Sequence, residues 1–344
     1  MKDVIGWDLG GAHVKAAWVH EGNVEAVWQV PCPLWRGIER LGEAVSVIAR
    51  QIPSSCVHGV TMTGEMVDAF PDRQQGGRAI LERMVKLLPE ADLRIFENPE
   101  FIPLSFGNPQ IKKIASQNWI LPALWIAHSC QTGIFIDIGS TTTDIVPLQQ
   151  KHVVSKGLND RERLESEELL YMGVIRTPLM ALAEQVPFGG KWHPLMAEHF
   201  ATSADIYRIL ALLPPHTDQA ETADGGPKTV PASMRRLARM IGCDKNDAAE
   251  SAWSRLAEYF MELQIQRLML AIMRQLSTIP EEPIELVGAG VGRFLLPEIA
   301  RRLAVPYRDF SEFIPCSGEN SSFSPADCAP AVALALLLEL RLRE

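Results

Sequence analysis

The feature that most constrains this chain is a short plan that occurs twice, as VIGWDLGGAHVK at 4–15 and as IFIDIGSTTTD at 134–144. Each copy is an apolar run, then Asp-x-Gly-[Gly/Ser], then small or hydroxyl residues, then a return to β-branched residues. That is the pattern of strand, tight turn, strand. A repeat at this distance marks a duplicated domain, because solenoid repeats recur every ~20–50 residues. The 344 residues of the chain agree with two domains of about 150 residues each. Its 47% hydrophobic and 22% charged residues are those of a globular protein able to bury a large core.

After the first hairpin, the patterning predicts strands at 24–30 and 57–62 and helices at 35–50 and 79–88, hence a sheet carrying helices. The stretch 116–130 reads as a helix with Pro122 near its start, delivering the chain into the second hairpin. The boundary is therefore set between an N-terminal domain, 1–128, and a C-terminal domain, 129–344. Within the latter, 159–212 reads as several helices, and 213–231, polar and rich in Pro and Gly, as a surface loop or lid. Trp253, Leu256, Phe260, Leu263, Ile265, Leu268 and Ile272 recur mostly three or four apart, which predicts an amphipathic helix over 249–276. Residues at about 159–280 thus form a helical insertion. A strand at 284–287, a turn through Gly288, Gly290 and Gly292, and a helix at 294–303 follow. The apolar run 329–340 is shorter than the roughly 18 residues that span a bilayer. It reads as a buried terminal helix, free to pack back on the first domain.

Lys and Arg total 33 against 42 Asp and Glu, a net charge of −9. That balance argues against nucleic acid or anionic membrane as a partner. Six cysteines, Cys32, Cys56, Cys130, Cys243, Cys316 and Cys328, are scattered without a CxxC pair. They read as reduced thiols, and with a start that runs straight into a strand they point to the cytoplasm. His13, His58, His128, His193 and His199 lack zinc spacing.

A strand ending in Asp-x-Gly-[Gly/Ser] suits phosphate and divalent-metal chemistry. Glycine lets backbone N–H groups approach an anion while Asp holds a hydrated Mg²⁺. One such hairpin also reads as a structural turn. Two of them followed by a strand-GxGxG-helix form an ordered set that points to a phosphate-bearing ligand. Asp8 and Asp137 are then the Mg²⁺ candidates, and Gly10, Gly11, Gly139, Ser140, Thr141 and Thr142 the phosphate cradle. Lys15 either reaches a phosphate or is solvated on an outer strand face. Arg176 either grips a diphosphate bidentately or belongs, with Thr177, to the cap of a helix begun by Pro178. Asn118 and Trp119 read as a helix N-cap and a core residue.

The ordered set resembles the actin-like ATPase superfamily, which includes sugar kinases, acetate kinase, Hsp70 and hydantoinase/oxoprolinase relatives. The resemblance implies an α/β, two-domain, ribonuclease H-like fold with a duplicated core. It also implies that the two hairpins face each other across an interdomain cleft, with Gly288, Gly290 and Gly292 under an adenosine where one is bound. DIGSTTTDIVP at 137–147 resembles a hydantoinase/oxoprolinase signature. With GWDLGGAHVKAA, TGEMVD (63–68), Asn118-Trp119, YMGVIRTP (171–178), FAT (200–202) and RLARM (236–240), it is similar to small proteins linked to the tetrahydromethanopterin one-carbon pathway. That group includes the archaeal enzyme that completes the aminomethylfuran core of methanofuran. The resemblance implies joining an aminomethylfuran methyl diphosphate to a phenolic acceptor, γ-glutamyltyramine in the archaeal case and tyrosine or another phenol elsewhere, with release of pyrophosphate. Mg²⁺ would assist on Asp8 and Asp137, and ATP is admitted but not required. Glu65, Asp144 and Asp160 are the carboxylates best placed to act on the phenol, with salt bridges or loop caps as the equal alternative for each. An ATP-dependent small-molecule kinase or oxoprolinase-like ATPase, and a non-catalytic nucleotide-binding regulator of one-carbon metabolism, are the competing functions. A homodimer is left open.

Overall fold

The structure is a computed structural model and describes residues 3–104, 110–280, 283–316 and 322–344. The first hairpin is β1 (Asp3–Leu9) and β2 (His13–His20), extended by β3 (Asn23–Pro31). A 3-10 turn at Leu34–Arg36 precedes α1 (Glu39–Ala49). The single helix expected at 35–50 is divided here because Gly37 sits at φ 131. β4 (Cys56–Met62), α2 (Arg73–Leu87), β5 (Asp92–Glu97) and β6 (Glu100–Pro103) complete a sheet of order β3-β2-β1-β4-β5-β6. α2 starts earlier than the sequence suggests. Asp72 caps it by accepting from Gln75 N at 2.8 Å, and Gly76 and Gly77 lie inside it because the helix passes close to its neighbours. A Cβ at Gly76 would fall 2.3 Å from the Glu65 carbonyl oxygen. α3 (Ile111–Ile114) and α4 (Ile120–Ala127) lead out of this half.

The second hairpin, β7 (Thr132–Ile138) and β8 (Thr143–Gln149), opens a second sheet, with β9 (His152–Val153) on β8. α5 (Asp160–Ser166) and β10 (Leu169–Leu170) follow. Where several helices are expected across 159–212, α5 and α6 (Ser203–Ile209) are joined by a hairpin, β11 (Gln185–Phe188) and β12 (Lys191–Pro194). Its two-residue turn is Gly189-Gly190, both at positive φ, the conformation glycine adopts most readily. α7 (Val230–Arg239) and the long α8 (Glu250–Leu276) complete the insertion. β13 (Glu285–Ala289), α9 (Leu296–Leu303), β14 (Tyr307–Asp309) and α10 (Ala329–Arg343) end the chain.

The second sheet runs β10-β8-β7-β13-β14. In both sheets the hairpin is antiparallel and its first strand then pairs in parallel with a later strand, β1 with β4 and β7 with β13. This is the duplicated ribonuclease H-like core of the actin-like ATPase fold. α10, although last in sequence, packs on β1, β2, β4 and α4 of the first half. Two glycines in register, Gly6 and Gly59, make room for it. A Cβ at Gly6 would fall 2.1 Å from the Ala331 carbonyl oxygen, and one at Gly59 3.1 Å from Leu338. No helix of the described residues is long and apolar enough to cross a membrane.

Candidate active site

The ends of the two hairpins meet at one cleft of about 480 Å³, lined by Asp8, Gly10, Gly11 and Lys15 from the first and Asp137, Gly139, Ser140, Thr141, Thr142 and Asp144 from the second. The turns are built alike. Gly10 N donates to His13 O at 3.0 Å, and Gly139 N to Thr142 O at 2.9 Å. Each turn is also braced from behind. Gly64 lies against the first, where a Cβ would fall 3.2 Å from the Gly10 carbonyl carbon, and Gly173 against the second, where a Cβ would fall 2.5 Å from Thr141 N. The Gly173 segment holds Arg176 over the cleft, since Arg176 N donates to Ser140 O at 2.9 Å. The Arg176 guanidinium lies 4.8 Å from the Trp35 ring centroid, a cation–π contact that crosses between the halves. Pro178 starts no α-helix. Thr177 Oγ1 instead accepts from Gly173 N at 2.8 Å and donates to Gly173 O at 2.9 Å.

Lys15 is enclosed rather than solvated. Its Nζ donates to the Asp327 carbonyl at 2.7 Å, and Asp327 is paired in turn with Arg293. Burial opposes the charge on Lys15, but Cys328, Asp137, Asp8 and Asp327 around it hold its pKa raised. Burial pushes Asp8 up to about 6 and Asp137 up to about 7, against the pull of Lys15. Asn118 does not cap α4. The preceding-turn residue is Trp119, and the Asn118 amide points at Asp8 with contacts of 3.4 and 3.5 Å.

The glycines of the late turn do not line the cleft. Gly290 is pressed behind the second hairpin, where a Cβ would fall 2.2 Å from Asp137 Oδ1. Gly292 meets Ile138 and Val174, and Gly288 meets Leu296 and Tyr307. Their observed work is to let β13 and its turn close on Asp137. Asp144 is paired with Arg163 at 2.8 Å, a buried guanidinium that lies 3.9 Å from the Trp119 ring centroid. Glu65 and Asp160 meet through Ser116, with Arg73 beside both. Trp35, Met66, Val67 and Tyr171 give the cleft an apolar and aromatic side. Arg73, Arg163 and Ser116 escaped sequence reasoning, because no motif or spacing in the sequence marks them. Another hollow, of about 530 Å³ between α1 and α2, is walled by Glu39, Glu43, Arg50 and Arg83 and holds no residue of either hairpin.

Among the described residues no three His, Cys, Asp or Glu side chains form a metal cage, and neither Asp8 nor Asp137 has an ion pair within 4 Å. The two desolvated carboxylates of Asp8 and Asp137 beside the glycine turns have donor chemistry that fits Mg²⁺, which keeps several waters and takes one or two carboxylates.

Residues 118–337 match the hydantoinase/oxoprolinase family model. The chain belongs to the hydantoinase/oxoprolinase family. The matched span of this hydantoinase/oxoprolinase protein runs from Asn118 through the second hairpin and the helical insertion into α10. Among curated relatives, a Methanocaldococcus jannaschii protein is 27% identical over 269 residues, 75% of this chain and 80% of the relative. It is named (4-{4-[2-(γ-L-glutamylamino)ethyl]phenoxymethyl}furan-2-yl)methanamine synthase. A Methanococcus vannielii protein of the same name is 34% identical over 128 residues, 37% of this chain and 57% of the relative. Component A of the (R)-2-hydroxyglutaryl-CoA dehydratase of Acidaminococcus fermentans aligns over 100% of both chains with a TM-score of 0.50 at 9% identity, a likeness of fold alone.

Proposed function

We propose that this protein is a pyrophosphate-releasing transferase of methanofuran-type cofactor biosynthesis, joining an aminomethylfuran methyl diphosphate to a tyramine- or tyrosine-derived phenol. The relatives' name describes such an aryl furfuryl ether. In the reaction, the bond from the furfuryl carbon to the diphosphate oxygen breaks and its electron pair leaves with pyrophosphate. The phenol oxygen forms the new bond to that carbon and releases its proton.

The observation that carries this reading is that both glycine hairpins, Lys15 and the carboxylates of Asp8 and Asp137 open into one cleft with an aromatic side. Backbone N–H groups at the two turns and the hydroxyls of Ser140, Thr141 and Thr142 suit the diphosphate oxygens. Lys15 and Arg176 suit the charge that grows on the leaving group. Trp35 and Tyr171 suit a phenol ring in face or edge contact. Asp8 and Asp137 would hold Mg²⁺, which would supply charge neutralisation for the diphosphate. The activation is already in the furan diphosphate, so ATP is not required.

The test is incubation with Mg²⁺, the furan diphosphate and a tyramine-derived phenol in the absence of nucleotide. Ether product and pyrophosphate should appear one to one. Product formation only with ATP, accompanied by ADP, would favour the kinase or oxoprolinase-like ATPase. Nucleotide binding without turnover would favour the regulator.

A further inference from the structure

At the side of the cleft a hydrogen-bonded line runs inward from Asp160. Its carboxylate, in the first turn of α5, takes Arg73 Nη2 at 2.6 Å and lies 3.2 Å from Ser116 Oγ. Ser116 Oγ donates to Glu65 Oε1 at 2.7 Å. The Glu65 side chain is sealed from solvent, its Oε2 has no hydrogen-bond partner, and Arg73 Nε is 3.9 Å away. One guanidinium thus faces two carboxylates that share a single hydroxyl. Asp160 and Ser116 line the cleft, whereas Glu65 lies behind them.

We infer that Asp160, Ser116 and Glu65 form a proton relay that takes the acceptor's phenolic proton from the cleft and stores it on Glu65. This rests on the condensation proposed above. The phenol O–H bond breaks toward Asp160. Ser116 passes its own hydroxyl proton to Glu65 and receives the one from Asp160. The electron pair freed on the phenol oxygen forms the bond to the furfuryl carbon as pyrophosphate departs. Glu65 begins as a carboxylate and ends as a neutral acid, and the proton returns to solvent along the same line.

Two physical facts favour this direction. The Asp160 carboxylate already accepts from Arg73 and lies against Ser116 Oγ, whose other contact is Glu65, so the hydrogen bonds lead inward from the cleft, and a phenol of pKa near about 10 needs a positioned base at their end. A buried carboxylate oxygen with no donor is costly as an anion and tolerable as an acid. Burial above all raises Glu65, Asp160 adds to the rise, and Ser116 and Arg73 oppose it. The charged and titratable groups around the line are Arg73 on α2, Asp160 on α5, and Tyr171 and Asp144, which face Asp160 from the second half. Asp160 belongs to the second half and its partners to the first, so the rival reading is an interdomain clasp with no part in proton transfer.

The experiment compares wild type, Glu65→Gln and Asp160→Asn on an ordinary phenol and on a polyfluorinated phenol already ionised at the assay pH. With the ordinary phenol, each variant should lose about 100-fold in kcat. With the ionised phenol, which has no proton to give, each should recover to within about tenfold of wild type. The acid limb of the wild-type pH profile should lie above the ordinary carboxylate range and move down in Glu65→Gln. Equal losses on both phenols would overturn the relay in favour of the clasp. In parallel, a carbon-13 carboxyl titration of the folded wild type should show one glutamate titrating above the ordinary range, absent in Glu65→Gln. An ordinary midpoint for Glu65 overturns the proton store. If wild type makes no ether, the functional reading falls, and the titration still decides the store separately.

Discussion

In the first hairpin Asp8 faces Lys15 across the strands, whereas at the corresponding place in the second Asp137 faces Asp144. The first pair balances its own charge. The second is two acids, and its cation is imported: Arg163 from α5 binds Asp144 and stacks over Trp119 of the first half. The turns differ as well, Gly11-Ala12-His13 in one and three hydroxyl residues, Ser140, Thr141 and Thr142, in the other. Duplication therefore supplied the strand-turn-strand geometry twice and a lysine on the returning strand once. Lys15, among Asp8, Asp137 and Asp327, serves both halves.

The largest expected effect is at that shared cation. Lys15→Met should lower pyrophosphate release by about 10³-fold, the scale of removing one donor from an electrostatic cradle. Asp144→Asn, whose charge Arg163 already offsets, should cost less than about tenfold. Equal losses at the two register-matched positions would break the distinction between the hairpins.

Arg163→Met should come next, through folding. It leaves Asp144, half-buried at the cleft wall, without its ion-pair partner, a defect of at most about 3–5 kcal/mol in urea unfolding. The double variant with Asp144→Asn should regain a large part of that loss. An additive double variant would mean that Arg163 acts through Trp119 and not through the carboxylate.

A third effect is pH dependence without metal. Asp8 and Asp137 ionise near 3.8 when unfolded, but in the fold only at about 6 and about 7. The folded state therefore holds extra protons between these values, and stability falls as pH rises from about 4 to about 7, by about 1.4 kcal/mol for each pH unit over which one of these carboxyls stays protonated only in the fold. Below the unfolded value this cost is absent. Asp137→Asn should flatten the slope and raise Tm at pH 8, while Mg²⁺ with pyrophosphate should do the same for wild type. A Tm that rises over this interval would contradict the placement of these carboxylates.

The hairpins and their duplication were legible in the sequence because strand and turn are local patterns, and the two strings carried them intact. The β11–β12 hairpin was not, since Pro187 and Pro194 weaken a strand reading although Gly189-Gly190 marks the turn. Asn118 was read as a helix cap because a local explanation was sufficient; its place beside Asp8 comes only from the tertiary fold, which brings the turn before α4 to the end of β1. The Glu65, Ser116, Asp160 and Arg73 cluster draws on four separate stretches of chain, and no spacing in one of them points to the others. The glycine turn at 288–292 was visible as a βα turn, but its closeness to Asp137 belongs to the register of β13 on β7.

The smallest effect sharpens the comparison of the two braces. Gly173→Ala places a methyl 2.5 Å from backbone atoms of the second turn, whereas Gly64→Ala meets chiefly the Leu34 side chain at 2.8 Å, with backbone at 3.2 Å. The former should cost about 1–3 kcal/mol and weaken pyrophosphate binding, and the latter about 1 kcal/mol less, as overpacking against a side chain relaxes more readily. The reverse order in thermal unfolding would place the stiffer brace under the first hairpin.

Whether two unlike hairpins hold one diphosphate is decided by calorimetric titration with pyrophosphate, with and without Mg²⁺. One site per chain is expected, dependent on Mg²⁺, and weakened at least tenfold by Asp8→Asn and by Asp137→Asn alike. Two independent sites, or a single site indifferent to either aspartate, would contradict the account.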